Sequence, residues 1–201
     1  MKKLIALSVI TLALAGCKTV NTETTEEAQN FAPCTFPDSP TVEAPSWICD
    51  VMPKDLAIGA TGYAKKSAAG MSVMRKIAIN DARVNLAAEF QTDVNNMFKQ
   101  AIESTTKTTT EAGADENIVE SFESATKNIV TRSLTNSRLI VSQASPAGGL
   151  YVLVGMDQTA FDANVNKVVD AANSDTTLWK QFNDDKAAKD LQNALTSLKK
   201  M

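Results

Sequence analysis

Histidine is absent from this chain of 201 residues. The sequence therefore cannot supply the Ser-His or Cys-His pairs of common nucleophilic enzymes, or the imidazole ligands of most zinc sites. Its aspartates and glutamates occur at no spacing that is diagnostic of a calcium loop or of a catalytic carboxylate pair. We expect a protein that is not an enzyme and that uses no metal or other cofactor.

Aromatic residues and positive charge are also scarce. Aromatics make up 5% of the chain, which is low for a sugar-binding cleft, and the net charge is −3. Removal of residues 1–16 would leave 18 basic against 23 acidic residues, a net charge of −5. Since phosphate backbones require a basic face, we expect no nucleic-acid partner. The same excess of acidic residues argues against attachment to lipid headgroups through clustered basic residues, so membrane attachment would depend on acyl chains.

The most informative stretch lies near the start of the chain. It consists of Lys2 and Lys3, an apolar run over 4–14, and then Leu14, Ala15, Gly16 and Cys17. This order is typical of a secretory signal peptide, and the run is too short to span a bilayer. With Cys17 after the small pair, the stretch resembles a bacterial lipobox, which implies a signal peptide of residues 1–16 and acylation of Cys17, palmitate included. The alternative is an ordinary cleaved signal followed by a chance cysteine.

Residues 17–46 are rich in Thr, Glu, Asn and Pro, which predicts a disordered tether. A flexible chain of this length would hold a folded domain about 30 Å from a membrane. Lys18 follows the lipobox cysteine, whereas an aspartate there is the usual inner-membrane retention signal of enterobacterial lipoproteins. The sequence is thus similar to the outer-membrane class, and we expect a lipid-anchored protein that faces the periplasm.

Two further cysteines, Cys34 and Cys49, form an even pair in a chain destined for an oxidising compartment. They predict a disulfide, with two free thiols as the alternative. A closed loop of this size would contribute roughly 3 kcal/mol on the chain-entropy model.

Residues 47–173 are predicted to form one α+β domain. Period-two and helical patterns predict a strand over 56–63, a long helix over 67–102, a second helix from Asp115 to about Ser133, a β-hairpin of strands 138–142 and 150–156, and a helix that begins at Asp157 or Thr159. We expect a small antiparallel or mixed sheet covered on one face by the long helix and the second helix. Residues 174–201 predict a C-terminal amphipathic helical tail that packs on its own domain, a partner helix or a membrane, in that order of preference.

The long helix is predicted to bury a single apolar stripe against the sheet. Its members are Met71, Met74, Ile77, Ala78, Ala82, Leu86, Phe90, Val94, Met97, Phe98 and Ala101. The alanines permit close approach to the sheet, as do Gly59 and Gly62 in the first strand. Methionines in such a stripe fill gaps in a core, although a methionine-rich binding face is the alternative.

The sequence of the last strand predicts that its two faces contact different parts of the protein. Leu150, Val152, Val154 and Met156 can face the helices, whereas Tyr151 and Leu153 point the other way. Burial of these two requires a second layer or another subunit. We therefore take Tyr151 and Leu153 as candidate interface residues for self-association.

Three segments carry a family resemblance. They are Ala57-Ile58-Gly59-Ala60-Thr61-Gly62-Tyr63, Ala78-Ile79-Asn80-Asp81-Ala82-Arg83-Val84-Asn85-Leu86-Ala87 and Gly149-Leu150-Tyr151-Val152-Leu153-Val154. Together with the lipobox they resemble the LPP20 family of outer-membrane lipoproteins over roughly 47–156. That family includes flagellar outer-membrane lipoproteins that form a disk or ring around the basal body, and it offers no catalytic residues to carry over.

The function expected from the sequence is structural: a lipid-anchored outer-membrane lipoprotein that self-associates or docks on an envelope protein, with the flagellar basal body as one setting. The alternative is a tethered periplasmic binding or accessory module for peptidoglycan or an envelope enzyme. A carboxylate-based hydrolase ranks last, because no pair of acidic residues stands out.

Overall fold

The computed structural model describes residues 33–105, 119–120, 122–124, 126–127, 134–180 and 185–199. The predicted signal peptide, the lipobox residues Leu14, Ala15, Gly16 and Cys17, and the predicted tether before Pro33 lie outside these residues. No helix among the described residues combines the length and the apolar character needed to cross a membrane.

The described elements are short strands and mostly longer helices. In chain order they are β1 (Thr35–Phe36), β2 (Ser39–Glu43), a 3₁₀ turn (Ser46–Cys49), β3 (Ile58–Ala64), α1 (Met71–Thr105), β4 (Arg138–Ala144), β5 (Leu150–Met156), α2 (Gln158–Ser174), α3 (Thr176–Lys180) and α4 (Asp185–Leu198). Strands and helices are largely segregated along the chain, as in other α+β folds. The predicted fold class is confirmed.

The main sheet is antiparallel, with strand order β3-β5-β4. In its register Ala60 pairs with Val154 and Ser142 with Val152. The turn between β4 and β5 contains Pro146 and Gly148, and Gly148 has φ +88°, a conformation that favours glycine. The predicted hairpin is thus confirmed, and the helix-facing side of β5 is buried as expected.

The long helix α1 lies unusually close to the sheet at one point. A Cβ added to Gly62 would fall 2.2 Å from the carbonyl oxygen of Ala78 and 2.3 Å from the backbone nitrogen of Ala82. Both alanines are fully buried. The close approach predicted for Gly62 and the two alanines is therefore confirmed, and only the smallest residues fit at this crossing.

The buried side of α1 is not a straight stripe. The deeply buried positions recur every fourth residue, at Met74, Ala78, Ala82, Leu86, Phe90, Val94, Phe98 and Ile102. Because a helix turns 100° per residue, each step of four advances the buried line by about 40° around the axis. The first half of the line therefore faces the sheet, and the second half faces other helices.

Two residues predicted in the stripe of α1 are on its outside. Met71 and Ile77 are about half exposed, so their assignment to the core was wrong. Each lies three residues from the buried Met74, which places it about 60° to one side of Met74 around the helix axis.

The second half of α1 packs on helical residues that the sequence placed correctly. Residues 119–120, 122–124 and 126–127 are helical, and Phe122 stacks on Phe98 with ring centroids 3.6 Å apart. The predicted helix limits, Asp115 and Ser133, lie outside the described residues. In α2, Asp157 caps the first turn by accepting a hydrogen bond from the Ala160 amide at 2.9 Å, as expected for a helix that starts there.

The C-terminal tail belongs to the domain. Leu191, Ala194, Leu195 and Leu198 of α4 are buried in the same core as α1 and α2. The first of the three predicted destinations of the tail, its own domain, is therefore confirmed.

The prediction of a disordered tether over 17–46 was wrong for residues 33–46. These residues contain β1 and β2, which pair with each other in antiparallel fashion, and Phe36 is buried. The Thr- and Pro-rich composition is typical of a linker, but proline is tolerated in short edge strands such as β2, which contains Pro40.

Candidate functional site

The face of the sheet opposite the helices is covered by residues 34–52, which we call the cover segment. It buries Phe36, Trp47 and Ile48 in a second apolar cluster with Tyr151 and Leu153. Trp47 is therefore a core residue.

The interface predicted at Tyr151 and Leu153 was wrong. Tyr151 is 5% exposed and Leu153 is fully buried, because the cover segment supplies the second layer that the sequence pattern demanded. Phe36 packs on Tyr151 at a ring-centroid distance of 5.7 Å. The chain satisfies this face with its own residues, which leaves neither side chain available to a partner.

The predicted disulfide is confirmed: Cys34 is bonded to Cys49. The bond joins the start of the cover segment to the 3₁₀ turn that carries Trp47 and Ile48. Inside the closed loop, the Ala44 amide donates to the Cys34 carbonyl at 2.8 Å. The cross-link thus fixes a segment that has little regular secondary structure of its own.

A polar cluster ties the cover segment to the sheet. The Asp38 carboxylate oxygen Oδ2 accepts hydrogen bonds from the Tyr63 hydroxyl at 3.1 Å and from the Ser145 hydroxyl at 2.6 Å. The Ser145 oxygen in turn accepts from the Gly149 amide at 3.0 Å. We call Asp38, Tyr63, Ser145 and their bonds the latch, because they join β3, the β4–β5 turn and the cover segment.

The tyrosines of this region are held in their neutral form. Burial, with a smaller contribution from the Asp38 carboxylate, raises the pKa of Tyr151 to about 12. Burial also raises the pKa of Tyr63, and its bond to Asp38 adds to the shift. Neutral hydroxyls that donate to a carboxylate stabilise structure, and raised pKa values make them poor bases or nucleophiles. The latch is therefore suited to holding the cover segment in place.

No group of three or more candidate ligands that could hold a metal ion occurs among the described residues. Asp157 both caps α2 and forms an exposed ion pair with Arg138 at 3.8 Å.

The two edges of the main sheet differ. At β3, the Asp81 carboxylate accepts from the Tyr63 amide at 2.9 Å and the Asn85 amide group donates to the Thr61 carbonyl at 2.9 Å. These side chains of α1 occupy backbone groups that an added strand would need. The β3 edge is therefore blocked.

The opposite edge, β4, pairs only with β5 among the described strands. The Ser145 amide donates to the Gly149 carbonyl at 2.9 Å, so these two residues form a hydrogen-bonded pair. Hydrogen-bonded and non-hydrogen-bonded pairs alternate along an antiparallel ladder, so Ser142, three pairs farther along β4, belongs to a non-hydrogen-bonded pair. Ser142 therefore directs its backbone N–H and C=O away from β5. Leu139 is more than one third exposed on the same strand. This edge can accept another strand, although the bulge between Leu139 and Val141 shortens its regular part.

Sequence reasoning missed the latch and the two edges. Asp38 and Ser145 are 107 residues apart, and no local pattern relates them. The sequence signal that could have revealed the blocked edge is the pair Asp81 and Asn85, polar residues four apart beside the buried Ala82.

A scan of the chain against models of known protein families finds no match, and a search of curated proteins finds no significant relative.

Proposed function

We propose that this protein is a lipid-anchored outer-membrane lipoprotein that faces the periplasm and has a structural role in assembly of the cell envelope. The observation that carries the proposal is the lipobox-like sequence Leu14-Ala15-Gly16-Cys17 upstream of a folded domain secured at Cys34 by a disulfide. An acylated Cys17 would anchor the chain, and a cross-linked domain suits an oxidising compartment.

The connection from the anchor to the described domain has fewer residues than composition suggested. Only 15 residues separate Cys17 from Pro33, where the described domain begins. Even fully extended, a chain of that length reaches no farther than about 55 Å. The domain would then work close to the membrane surface, within reach of other envelope components anchored there.

The β4 edge is the surface that we assign to assembly. A second copy of the chain or an envelope protein would add a strand along Ser142, with main-chain hydrogen bonds providing affinity. The blocked β3 edge restricts such pairing to one side of the sheet. The resemblance to the LPP20 family supports an assembly role, and the flagellar basal body is the setting that this resemblance implies.

The anchor is tested by Cys17→Ser in the full chain. We expect the wild-type protein to sediment with outer membranes and to require detergent for extraction, whereas Cys17→Ser is released to the soluble periplasmic fraction. The matched control is Cys34→Ser combined with Cys49→Ser, which also removes cysteines but should remain in the membrane fraction. A Cys17→Ser protein that still sediments with outer membranes would contradict the anchor.

Assembly is tested by the oligomeric state of the detergent-extracted protein, measured by native mass spectrometry and negative-stain imaging. Ser142→Pro removes an outward N–H and should convert rings or larger assemblies to monomers, whereas Ser142→Ala keeps that N–H and should assemble normally. Loss of motility with an intact envelope on deletion of the gene would support the flagellar setting.

A second function, a tethered accessory module for peptidoglycan or an envelope enzyme, is favoured by one observation. Burial of Tyr151 and Leu153 removes the apolar surface that was expected to drive self-association. A wild-type protein that is monomeric after extraction, together with altered cell-wall composition and normal motility on deletion, would select this alternative.

A further inference from the structure

Exposed apolar side chains are concentrated on the first half of α1. Four of the seven large exposed apolar residues of the described chain lie there: Met71, Val73, Ile77 and Val84. Val73, Ile77 and Val84 fall within about 40° of one another around the helix axis. We call these three residues the outer stripe. They lie roughly opposite Ala82, which packs against the sheet.

Positive charge is concentrated in the same part of the chain. Between residues 65 and 83 there are five cations, Lys65, Lys66, Arg75, Lys76 and Arg83, against a single acidic residue, Asp81. Asp81 is occupied by the Tyr63 amide. The whole chain is acidic, so this local excess is hidden in the net charge.

Two of these cations border the outer stripe directly. Lys76 and Arg83 each precede a stripe residue by one position, which places both about 80–100° to one side of the stripe centre. Both are exposed, and no salt bridge in the described residues involves either of them. No ion pair among the described residues therefore accounts for their position.

We propose that the outer stripe and its bordering cations form a surface that docks on a membrane containing anionic phospholipid, in a domain already held near that membrane by its anchor. The proposal rests on the anchored location proposed above. It adds a second contact: the stripe enters the headgroup region while Lys76 and Arg83 bind lipid phosphates.

Two observations favour a membrane over other occupants. Apolar side chains bordered by cations on an exposed helix match the interfacial helices of peripheral proteins. Nucleic-acid surfaces pair positive charge with stacking aromatics, and the outer stripe contains none. The 15 residues between Cys17 and Pro33 would also limit the domain to within about 55 Å of the anchor, which raises the effective concentration of the lipid surface.

Binding of the full chain to vesicles tests the proposal. Cys17→Ser is included in every variant so that acyl chains do not dominate. Partitioning is measured on vesicles of phosphatidylcholine with about one third phosphatidylglycerol, a composition that gives a strongly anionic surface, and on vesicles of phosphatidylcholine alone.

The charge variant is Lys76→Glu with Arg83→Glu. Each cation lost should reduce partitioning onto an anionic surface about fivefold. We therefore expect the charge variant to bind the anionic vesicles at least about 25-fold more weakly and the neutral vesicles about as well as its parent. The matched control, Lys54→Glu with Lys180→Glu, changes the net charge equally at exposed sites outside this surface and should bind like its parent.

The apolar variant is Val84→Asp, and its control is Val51→Asp. Both valines are 61% exposed, so neither change disturbs the core. We expect Val84→Asp to weaken vesicle binding about tenfold and Val51→Asp to leave it within about twofold.

Equal binding by Val84→Asp and Val51→Asp would overturn the proposal. The proposal would also be overturned if the protein bound duplex DNA and the charge variant lost DNA binding but kept vesicle binding. A change in sedimentation coefficient seen only in Val84→Asp would overturn it as well, because it would indicate that a second copy of the chain binds the outer stripe. The hypothesis that Cys17 anchors the chain is tested separately, by cell fractionation of Cys17→Ser. Its failure would not change the comparison between matched variants on vesicles.

Discussion

The two faces of the central sheet are covered in different ways. On one face, α1 and α2 bury Val152, Val154 and Met156 under a large apolar layer with Gly62 at its tightest point. On the other, the 19 residues of the cover segment, which consist of two short strands, a 3₁₀ turn and loops, cover Tyr151 and Leu153 with the help of a disulfide and the latch.

The difference follows from how much surface each cover can bury. Long helices provide enough apolar contact to hold themselves in place, so their side of the sheet needs shape complementarity and little else. A short segment loses conformational entropy on ordering and buries few side chains, so it needs covalent and polar constraints. The same sheet is thus stabilised by close packing on one side and by specific bonds on the other.

The largest effect is expected from filling the helix-side crossing. Gly62→Ala places a Cβ against the backbone of Ala78 and Ala82, which cannot move without shifting the helix, and should lower the free energy of unfolding by about 3 kcal/mol or more. Gly59→Ala, on the other face of β3, meets first the Met52 sulfur at 3.0 Å and should cost less than about 1 kcal/mol. Urea unfolding followed by circular dichroism compares them, and equal costs would refute the contrast between the faces.

Removal of the disulfide should have the next largest effect, confined at first to the cover side. The cysteines are 15 residues apart, and Cys34→Ser with Cys49→Ser should cost about 2–3 kcal/mol. Hydrogen exchange should accelerate at the amides of Ala44 and Ile48 well before those of α1. Uniform acceleration throughout the domain would mean that the cover segment does not open separately.

Breaking the latch should have a smaller effect. Asp38→Ala leaves the Tyr63 and Ser145 hydroxyls without their acceptor and should cost about 1–2 kcal/mol. The exposed Asp55→Ala is the control and should change stability little. In a double-mutant cycle, Asp38→Ala and Tyr63→Phe should cost less together than the sum of the two, and strict additivity would show that the hydrogen bond contributes nothing.

The smallest effect appears only at high pH. The chain has two tyrosines, Tyr63 and Tyr151, and both belong to the cover side, so tyrosinate absorbance reports on that face alone. With the pKa of Tyr151 raised to about 12, the unfolded state loses its proton first, near the ordinary value of 10.0. Stability should therefore be complete below pH 10 and decline as pH rises toward 12.

Tyr151→Phe should reduce that alkaline decline without altering the effect of Gly62→Ala. Absorbance titration of the folded wild-type protein that shows both tyrosines ionising near pH 10 would contradict the burial of this face.

The sequence allowed prediction of the helix side because its signals are local. Turn residues at 145–149 define the hairpin, and regular spacing along α1 and β5 defines the buried positions. The cover side depends on contacts across the chain, such as Asp38 with Ser145, and its Pro- and Thr-rich sequence has no periodicity. Ile77 was misplaced because a step of three residues from Met74 also fits a helical pattern, whereas the buried positions of α1 recur every fourth residue.

The disulfide has a mechanical consequence for any load that enters from the N-terminal side. Tension on the chain before Cys34 passes through the sulfur–sulfur bond to Cys49 and bypasses residues 35–48. The paired strands β1 and β2 lie inside that bypassed loop, so force applied to the chain before Cys34 does not separate them. The first noncovalent structure to bear the force is the stretch that leads from Cys49 into β3. Force applied to the chain before Cys34 is therefore resisted by the central sheet.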